Sequence, residues 1–184
     1  MTKQEQLDKV GNALIYLSSR ITDTSKSKLL KLLYIIDELS IKKSGIPVFN
    51  LNYQVWKYGP VEKEVYTDLS ENPVLLSKYV KRINKDDNNY IVPVAEFCDD
   101  EFTNNDIKLM DKVIELYGSK TAKELVAYTH RPHSPWYNKA VEKQVYEDLI
   151  NERINTTDYY LEMDSIISHN ETLKAIYNDF QELC

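Results

Sequence analysis

The segment 25–43 constrains the fold more than any other, because its apolar residues cover several faces of a helix. A surface helix carries its apolar residues on one stripe, whereas a helix that is apolar on several faces is buried by its neighbours. The apolar positions are Leu29, Leu30, Leu32, Leu33, Ile35, Ile36 and Leu39. Gly45 then predicts the helix end, since glycine readily adopts the left-handed conformation found there. The sequence therefore predicts a central helix around which the other elements pack.

Apolar residues at spacings of three and four predict helices on both sides of this segment. They are expected over residues 3–20, 60–70, 103–118, 121–128, 136–151 and 170–182. Thr121 and Glu124 have the spacing of a capping box, in which each side chain satisfies a backbone N–H of the first helical turn. The chain is therefore expected to be rich in helix.

Alternating apolar and polar residues predict a small amount of β-structure. A short strand is expected at 51–56, and a β-hairpin is expected from 78–83 and 90–94 around the polar turn 85–89. The predicted fold class is mainly α with a small antiparallel β element (α+β), as a compact helical domain with a short strand and a β-hairpin. A length of 184 residues without a linker or low-complexity tract predicts one domain over 1–184, ending in a helical tail over 151–184.

The sequence also bears on the compartment. The only two cysteines, Cys98 and Cys184, are far apart, so they do not form a disulfide framework. Residues 1–10 are charged and lack the apolar core of a secretory signal. Nowhere does an apolar run approach the roughly 20 residues of a membrane span. We therefore expect a cytoplasmic protein that does not enter a membrane.

We find no pattern that predicts catalysis. Four glycines leave little room for a phosphate-binding loop. His130 and His133 are three residues apart, but Pro132 between them disfavours the regular helix that would align them on a metal. Acidic neighbours of Cys98 disfavour a nucleophilic thiolate. The sequence predicts a protein that is not an enzyme, with no cofactor and no metal.

Charge is distributed unevenly along the chain. Residues 1–85 carry 14 Lys/Arg and 9 Asp/Glu, whereas residues 86–184 carry 9 Lys/Arg and 20 Asp/Glu. This asymmetry predicts either an acidic surface for a basic partner or ordinary solvated helix faces.

Nucleic-acid binding is a second possibility. Helices followed by a hairpin resemble a winged helix, and segment 78–85 contains four basic residues. Lys26, Lys28 and Lys31 at the start of the central helix could contact phosphates. The isoelectric point of about 5.2 argues against this function, because DNA-binding domains are usually basic.

Aromatic residues lie beside the rigid turns. Trp56, Tyr58, Trp136 and Tyr137 neighbour prolines or a glycine, and the chain contains 14 tyrosines. Rigid aromatic side chains are good anchors for a protein partner, because little entropy is lost on contact. For Trp56 and Trp136, a place in the core is the favoured alternative.

Two windows of the sequence are similar. Residues 56–69 and 136–149 are identical at 8 of 14 positions, both beginning with tryptophan. The similarity is compatible with two equivalent helices, but chance resemblance of two amphipathic segments is favoured, since repeat arrays need about three copies.

Several of these motifs together resemble the Panacea domain, the family of SocA-like antitoxins and phage-associated GepA-like proteins. The resemblance begins at the signature helix Lys31-Leu32-Leu33-Tyr34-Ile35-Ile36-Asp37. It continues through Tyr53-x-x-Trp56-Lys57-Tyr58-Gly59-Pro60-Val61, Val65-Tyr66, Phe102-Thr103, Leu116-Tyr117-Gly118, Leu125, Thr129-His130 and Pro135-Trp136. It covers roughly residues 10–150, and the tail carries no matching motif.

The resemblance implies an antitoxin of a toxin–antitoxin system that neutralises a cognate toxin by direct protein–protein binding. SocA-like members instead act as adaptors that deliver a toxin to a protease, and phage-associated members leave an adaptor or anti-defence role open. The implied partner is a toxin or another protein, with no cofactor.

Two groups of residues follow from the motifs and the turns. The expected partner-binding residues are Trp56, Tyr58, Gly59, Pro60, His130 and Trp136. The expected structural residues of the signature helix are Leu32, Leu33, Tyr34 and Asp37. Asp37 is expected to accept a structural hydrogen bond from a turn.

Overall fold

The computed structural model describes residues 1–85 and 88–183. Along the described chain lie α1 (Lys3–Ser18), α2 (Lys26–Ser44), β1 (Tyr53–Trp56), β2 (Gly59–Glu62), α3 (Lys63–Asp68), β3 (Val80–Lys85), β4 (Asn88–Pro93), α4 (Asn104–Tyr117), α5 (Ala122–Thr129), α6 (Pro135–Glu142), α7 (Tyr146–Ile150), a 3₁₀-helix (Met163–Ile167) and α8 (Glu171–Glu182). The strands form two antiparallel hairpins, β1–β2 and β3–β4. The predicted class, mainly α with a small antiparallel β element, is confirmed.

Helix α2 is the centre of the molecule, as its sequence predicts. Leu32, Leu33 and Tyr34 are buried, and α2 packs against α1, α4, α5, α8, β2 and the 3₁₀-helix. The helix ends at Gly45, which has a φ of 78° and donates its N–H to the carbonyl of Ile41 at 2.8 Å. The apolar run of the sequence therefore specifies the central position of this helix, and Gly45 specifies its end.

The helix starts in the second half of the chain also follow from local sequence. Thr103 and Asp106 form a capping box at α4, and Thr121 and Glu124 form one at α5. Each threonine oxygen accepts a hydrogen bond from a backbone N–H that the helix itself cannot satisfy. The predicted hairpin around residue 85 is confirmed as β3–β4, with residues 86 and 87 of its predicted turn outside the described chain.

The prediction of a helix that starts at Pro60 is wrong. Residues Gly59–Glu62 form β2, which pairs with β1 so that Trp56 faces Gly59 and Tyr53 faces Glu62. Backbone pairing with β1 outweighs the tendency of proline to begin a helix, and α3 starts only at Lys63. The predicted isolated strand is therefore half of a second hairpin.

The prediction of one helix over 136–151 is also wrong. The segment forms α6 and α7, separated at Gln144, whose φ of 58° is left-handed and incompatible with a continuing helix. The two similar sequence windows consequently differ in structure, since one forms β2 and α3 and the other forms α6 and α7. Their resemblance does not reflect equivalent elements.

The segment that follows α7 is joined to the β1–β2 hairpin. Val55 N–H donates to the carbonyl of Tyr159 at 2.9 Å, and Leu161 N–H donates to the carbonyl of Tyr53 at 2.8 Å. These bonds place residues 159–161 along the outer edge of β1. Across residues 1–85 and 88–183, none of the helices combines the length and apolar character that a membrane span requires.

Candidate partner-binding site

Two buried side chains donate hydrogen bonds to the turn between β1 and β2. Lys31 Nζ donates to the carbonyl of Pro60 at 2.8 Å, and Trp136 Nε1 donates to the carbonyl of Trp56 at 2.9 Å. Both donors are buried, at 2% and 0% relative exposure. The two carbonyls lie on either side of the turn tip, so its position is fixed by hydrogen bonds from α2 and α6.

Gly59 allows this turn to approach α5 closely. Its φ is 94°, and a Cβ at this position would lie 2.5 Å from Thr129 Oγ1 and 3.0 Å from Lys31 Cε. Any other L-residue would therefore be strained by its backbone and would collide with a buried side chain.

The variant Gly59→Ala is expected to lower the free energy of unfolding by about 1–3 kcal/mol, the usual cost of a strained backbone conformation. Chemical denaturation measures this loss. Adding Thr129→Ala removes the nearest collision but leaves the backbone strain, so the double variant should recover only part of the stability. An unchanged unfolding free energy for Gly59→Ala would show that the turn relaxes freely.

His130 stacks on Trp136 below the same turn. The ring centroids are 3.6 Å apart with an interplanar angle of 13°. Burial lowers the pKa of His130 to about 4, and the positive charge of Lys31 adds to the effect. The imidazole is therefore neutral at physiological pH and behaves as part of the packed support of the turn.

Lys31 is the buried cation of the signature helix. Burial lowers the pKa of its ammonium group from 10.5 to about 7. The Pro60 carbonyl is a good acceptor for either protonation state of this amine. Lys31 thus links α2 to the β1–β2 turn. Burying its charged form costs desolvation free energy, and this cost depends on pH because the amine loses its charge as pH rises.

Asp37 joins α2 to the start of the β1–β2 hairpin. Its Oδ1 accepts from Phe49 N–H at 2.7 Å, and its Oδ2 accepts from the Tyr53 hydroxyl at 3.0 Å. Burial raises the pKa of Asp37 to about 6, although these hydrogen bonds act in the opposite direction. The carboxyl group thereby fixes the loop that leads from α2 into β1.

The six expected partner-binding residues differ in exposure. Tyr58 is the exposed member, at 61%. Trp56 and His130 are half-buried, whereas Gly59, Pro60 and Trp136 are buried. Tyr58 is therefore the member of this group whose side chain is accessible on the intact fold, while the three buried residues shape and support the turn that carries it.

Comparison with known families assigns these features to one domain. The family model described as "Antitoxin SocA-like, Panacea domain" matches residues 29–137. The chain belongs to this family. The match includes α2, the β1–β2 turn and Trp136, so the buried supports of the turn all lie within the Panacea domain. No curated protein and no solved structure matches the chain.

Two of the three lysines expected to contact phosphates, Lys28 and Lys31, are buried. Lys28 Nζ donates to the carbonyl of Gly118 at 2.7 Å, and Lys31 contacts Pro60 as described. Lys26 donates to Ser70 Oγ at 2.7 Å and lies over an aromatic ring. The expectation that this helix start presents its lysines to a nucleic acid is therefore wrong for Lys28 and Lys31, because both satisfy interior acceptors.

A buried ion pair was not predicted from the sequence. The guanidinium group of Arg131 contacts the carboxylate of Glu38, which is only 3% exposed, and stacks over the ring of Tyr128 at 4.0 Å. Burial raises the pKa of Glu38 although Arg131 opposes the shift. The pair joins α2 to the loop after α5, and its partners are 93 residues apart in the sequence.

Among the described residues, no group of three potential metal ligands comes together.

Proposed function

We propose that this Panacea domain neutralises a protein toxin by binding it directly, as a stoichiometric antitoxin and not as an enzyme. The observation that carries the proposal is the match to an antitoxin family over residues 29–137. This range includes the β1–β2 turn and the buried residues that support it. The exposed Tyr58 at the tip of a fixed turn supports a direct contact, because a preorganised aromatic side chain loses little entropy on binding.

The test is co-expression with the product of the adjacent open reading frame. We expect that product to arrest growth alone, and this chain to restore growth and co-purify with the product at a fixed ratio. Toxin levels distinguish two mechanisms. A blocked toxin stays abundant in rescued cells, whereas a toxin delivered to a protease by an adaptor disappears and returns when the protease gene is deleted. A product that is harmless, or that does not bind, would contradict the antitoxin proposal.

Tyr58→Ala is expected to weaken toxin binding at least tenfold while changing the free energy of unfolding by less than about 1 kcal/mol. The loss reflects a missing aromatic contact, and titration calorimetry measures it. Tyr160→Ala is the matched control, since Tyr160 is 55% exposed on the opposite edge of β1, where it pairs with Gln54. If Tyr58→Ala instead melts well below the wild type, Tyr58 is a packing residue and the site assignment fails.

A further inference from the structure

A groove of about 470 Å³ opens beside the β1–β2 turn. Tyr58 from the turn, Val126 from α5 and Ile150 from α7 form part of its lining, together with Lys57 and Lys123. We call this feature the Tyr58 groove. His130 also belongs to its lining and stacks on the buried Trp136, so one of its walls is held in place by the core.

The surface of the Tyr58 groove is largely apolar. Tyr58 is 61% exposed and Ile150 is 46% exposed, while the neighbouring Leu149 is buried at 1%. Val126 is half-buried between them. Exposed apolar side chains from two separate elements that converge on one concavity are typical of a docking site for a partner side chain.

The orientation of Tyr58 is fixed by a charged neighbour. Lys57 Nζ lies 4.5 Å from the centroid of the Tyr58 ring and 3.0 Å from Glu152 Oε1. The Lys57 side chain is only 12% exposed, so the cation covers the ring on one side. The ring can therefore offer its remaining surface to a partner at a small entropic cost.

The rim of the groove is cationic. Lys57 is matched by Glu152, whereas Lys123 is exposed and forms no ion pair within residues 1–85 and 88–183. The nearby Glu124 is occupied by the capping box of α5, where it accepts from Thr121. In a chain of net charge −6, this apolar groove with a free cation at its edge is a local departure from the overall acidic balance.

We infer that the Tyr58 groove receives a segment of the toxin in which an apolar side chain has an aspartate or glutamate within one helical turn of it. The inference rests on the proposed function and adds the chemistry of the partner to it. The apolar side chain would pack against Tyr58 and Ile150, and the carboxylate would pair with Lys123. Charge complementarity selects an acidic segment over a basic one, because a basic segment would meet the unpaired charge of Lys123.

A larger groove of about 610 Å³ fits this occupant less well. Its lining includes Lys9 and Lys43, but also Asp106, whose carboxylate lies 3.9 Å from Lys9 Nζ and would repel an acidic segment. Among the described residues, the lining of the Tyr58 groove contains no aspartate or glutamate. The Tyr58 groove is continuous with the turn of the Panacea domain and is therefore preferred.

The test uses two groove variants of the full chain and two controls matched in chemistry and exposure. Ile150→Asp and Lys123→Glu alter the groove. Leu116→Asp is the control for the first, because Leu116 and Ile150 are each 46% exposed. Lys108→Glu on α4 is the control for the second, because Lys108 is exposed like Lys123 and forms no ion pair with the described residues. The probe is the purified product of the adjacent open reading frame, measured by titration calorimetry.

We expect each groove variant to raise the dissociation constant at least tenfold and each control to change it less than twofold. The Lys123 contribution should decrease as salt rises from 50 to 500 mM, because a rim ion pair is screened. A photoreactive phenylalanine analogue in place of Tyr58 should crosslink to a toxin peptide with an acidic residue within four positions of the modified site.

The possible outcomes distinguish a failure of the groove inference from a failure of the proposed antitoxin function. If the wild type binds and neutralises the toxin but both groove variants bind equally well, the inference is wrong and the antitoxin proposal stands. A crosslinked peptide with basic residues and no acidic residue also overturns the inference. If the wild type does not bind the product at all, the proposed function fails and the inference fails with it.

Discussion

Replacing Leu33 with alanine is expected to lower the free energy of unfolding by about 2–5 kcal/mol. Leu33 is 1% exposed in the middle of α2, the helix that contacts most of the other elements. Truncation removes buried methyl groups and leaves a cavity that close-packed neighbours cannot readily fill. Several elements surround this position, so the loss should appear as global unfolding and not as local fraying.

Urea denaturation followed by circular dichroism measures this effect, with Leu116→Ala as the control. Leu116 lies on α4 and is 46% exposed, so the same chemical change should cost well under 1 kcal/mol there. A loss below 1 kcal/mol for Leu33→Ala would show that α2 is not the packing centre. An equal loss in both variants would mean that burial does not determine how much unfolding free energy the truncation costs.

Stability is expected to rise between pH 7.5 and 9.5 through Lys31, and Lys31→Met should remove that rise. Lys31 has a pKa of about 7 in the folded chain, against 10.5 for the free side chain. Between these values the unfolded chain binds a proton that the folded chain does not, so the free energy of unfolding increases with pH. Below pH 7 both states are protonated, and the folded state carries the full cost of a buried ammonium group.

The expected gain over two pH units is about 2–3 kcal/mol, since each unit contributes at most about 1.4 kcal/mol per site. The measurement is the difference between wild type and Lys31→Met in urea denaturation at several pH values. Taking the difference cancels groups common to both chains, such as the α-amino group. The upper limit of pH 9.5 avoids ionising the tyrosines, whose buried members Tyr34 and Tyr53 have raised pKa values.

Lys31→Met also removes the hydrogen bond to the Pro60 carbonyl, which shifts the stability of the variant at all pH values but not the slope. Lys120→Met is a suitable control, because Lys120 is half-buried near the start of α5 and should leave the slope unchanged. Equal slopes for wild type and Lys31→Met would show that Lys31 reaches solvent when charged, and its role as a buried support would be lost.

Local sequence patterns determined the elements that depend on near neighbours in the chain. The burial of α2 follows from apolar residues on several of its faces, and its end follows from Gly45, which has the left-handed φ of 78°. The starts of α4 and α5 follow from capping boxes that span four residues. The Panacea motifs likewise led to the family that the comparison shows over residues 29–137.

Contacts between distant segments decided the remaining features. Residues 59–62 form a strand because β1 supplies backbone partners, a preference that the local signal of Pro60 does not contain. Lys28 and Lys31 look like surface cations in the sequence. In the structure they are buried and donate hydrogen bonds to the carbonyls of Gly118 and Pro60. Whether a lysine faces solvent or a buried acceptor depends on which chain segment covers its helix face, and that is a property of tertiary packing.

The candidate site likewise combines residues that the sequence singled out with an arrangement that only tertiary packing decided. The sequence singled out Tyr58 and Trp136 as aromatic residues beside rigid turns, but their opposite exposures, 61% and 0%, arise from packing between α6 and the β1–β2 turn. Ile150 and Lys123 carry no signal in the sequence, and they join Tyr58 because the fold brings α7 and α5 to the same groove as that turn. Periodicity and capping act within a few residues, so the sequence alone determined the central helix, the starts of α4 and α5 and the family, whereas the groove exists only once segments about 90 residues apart are brought together.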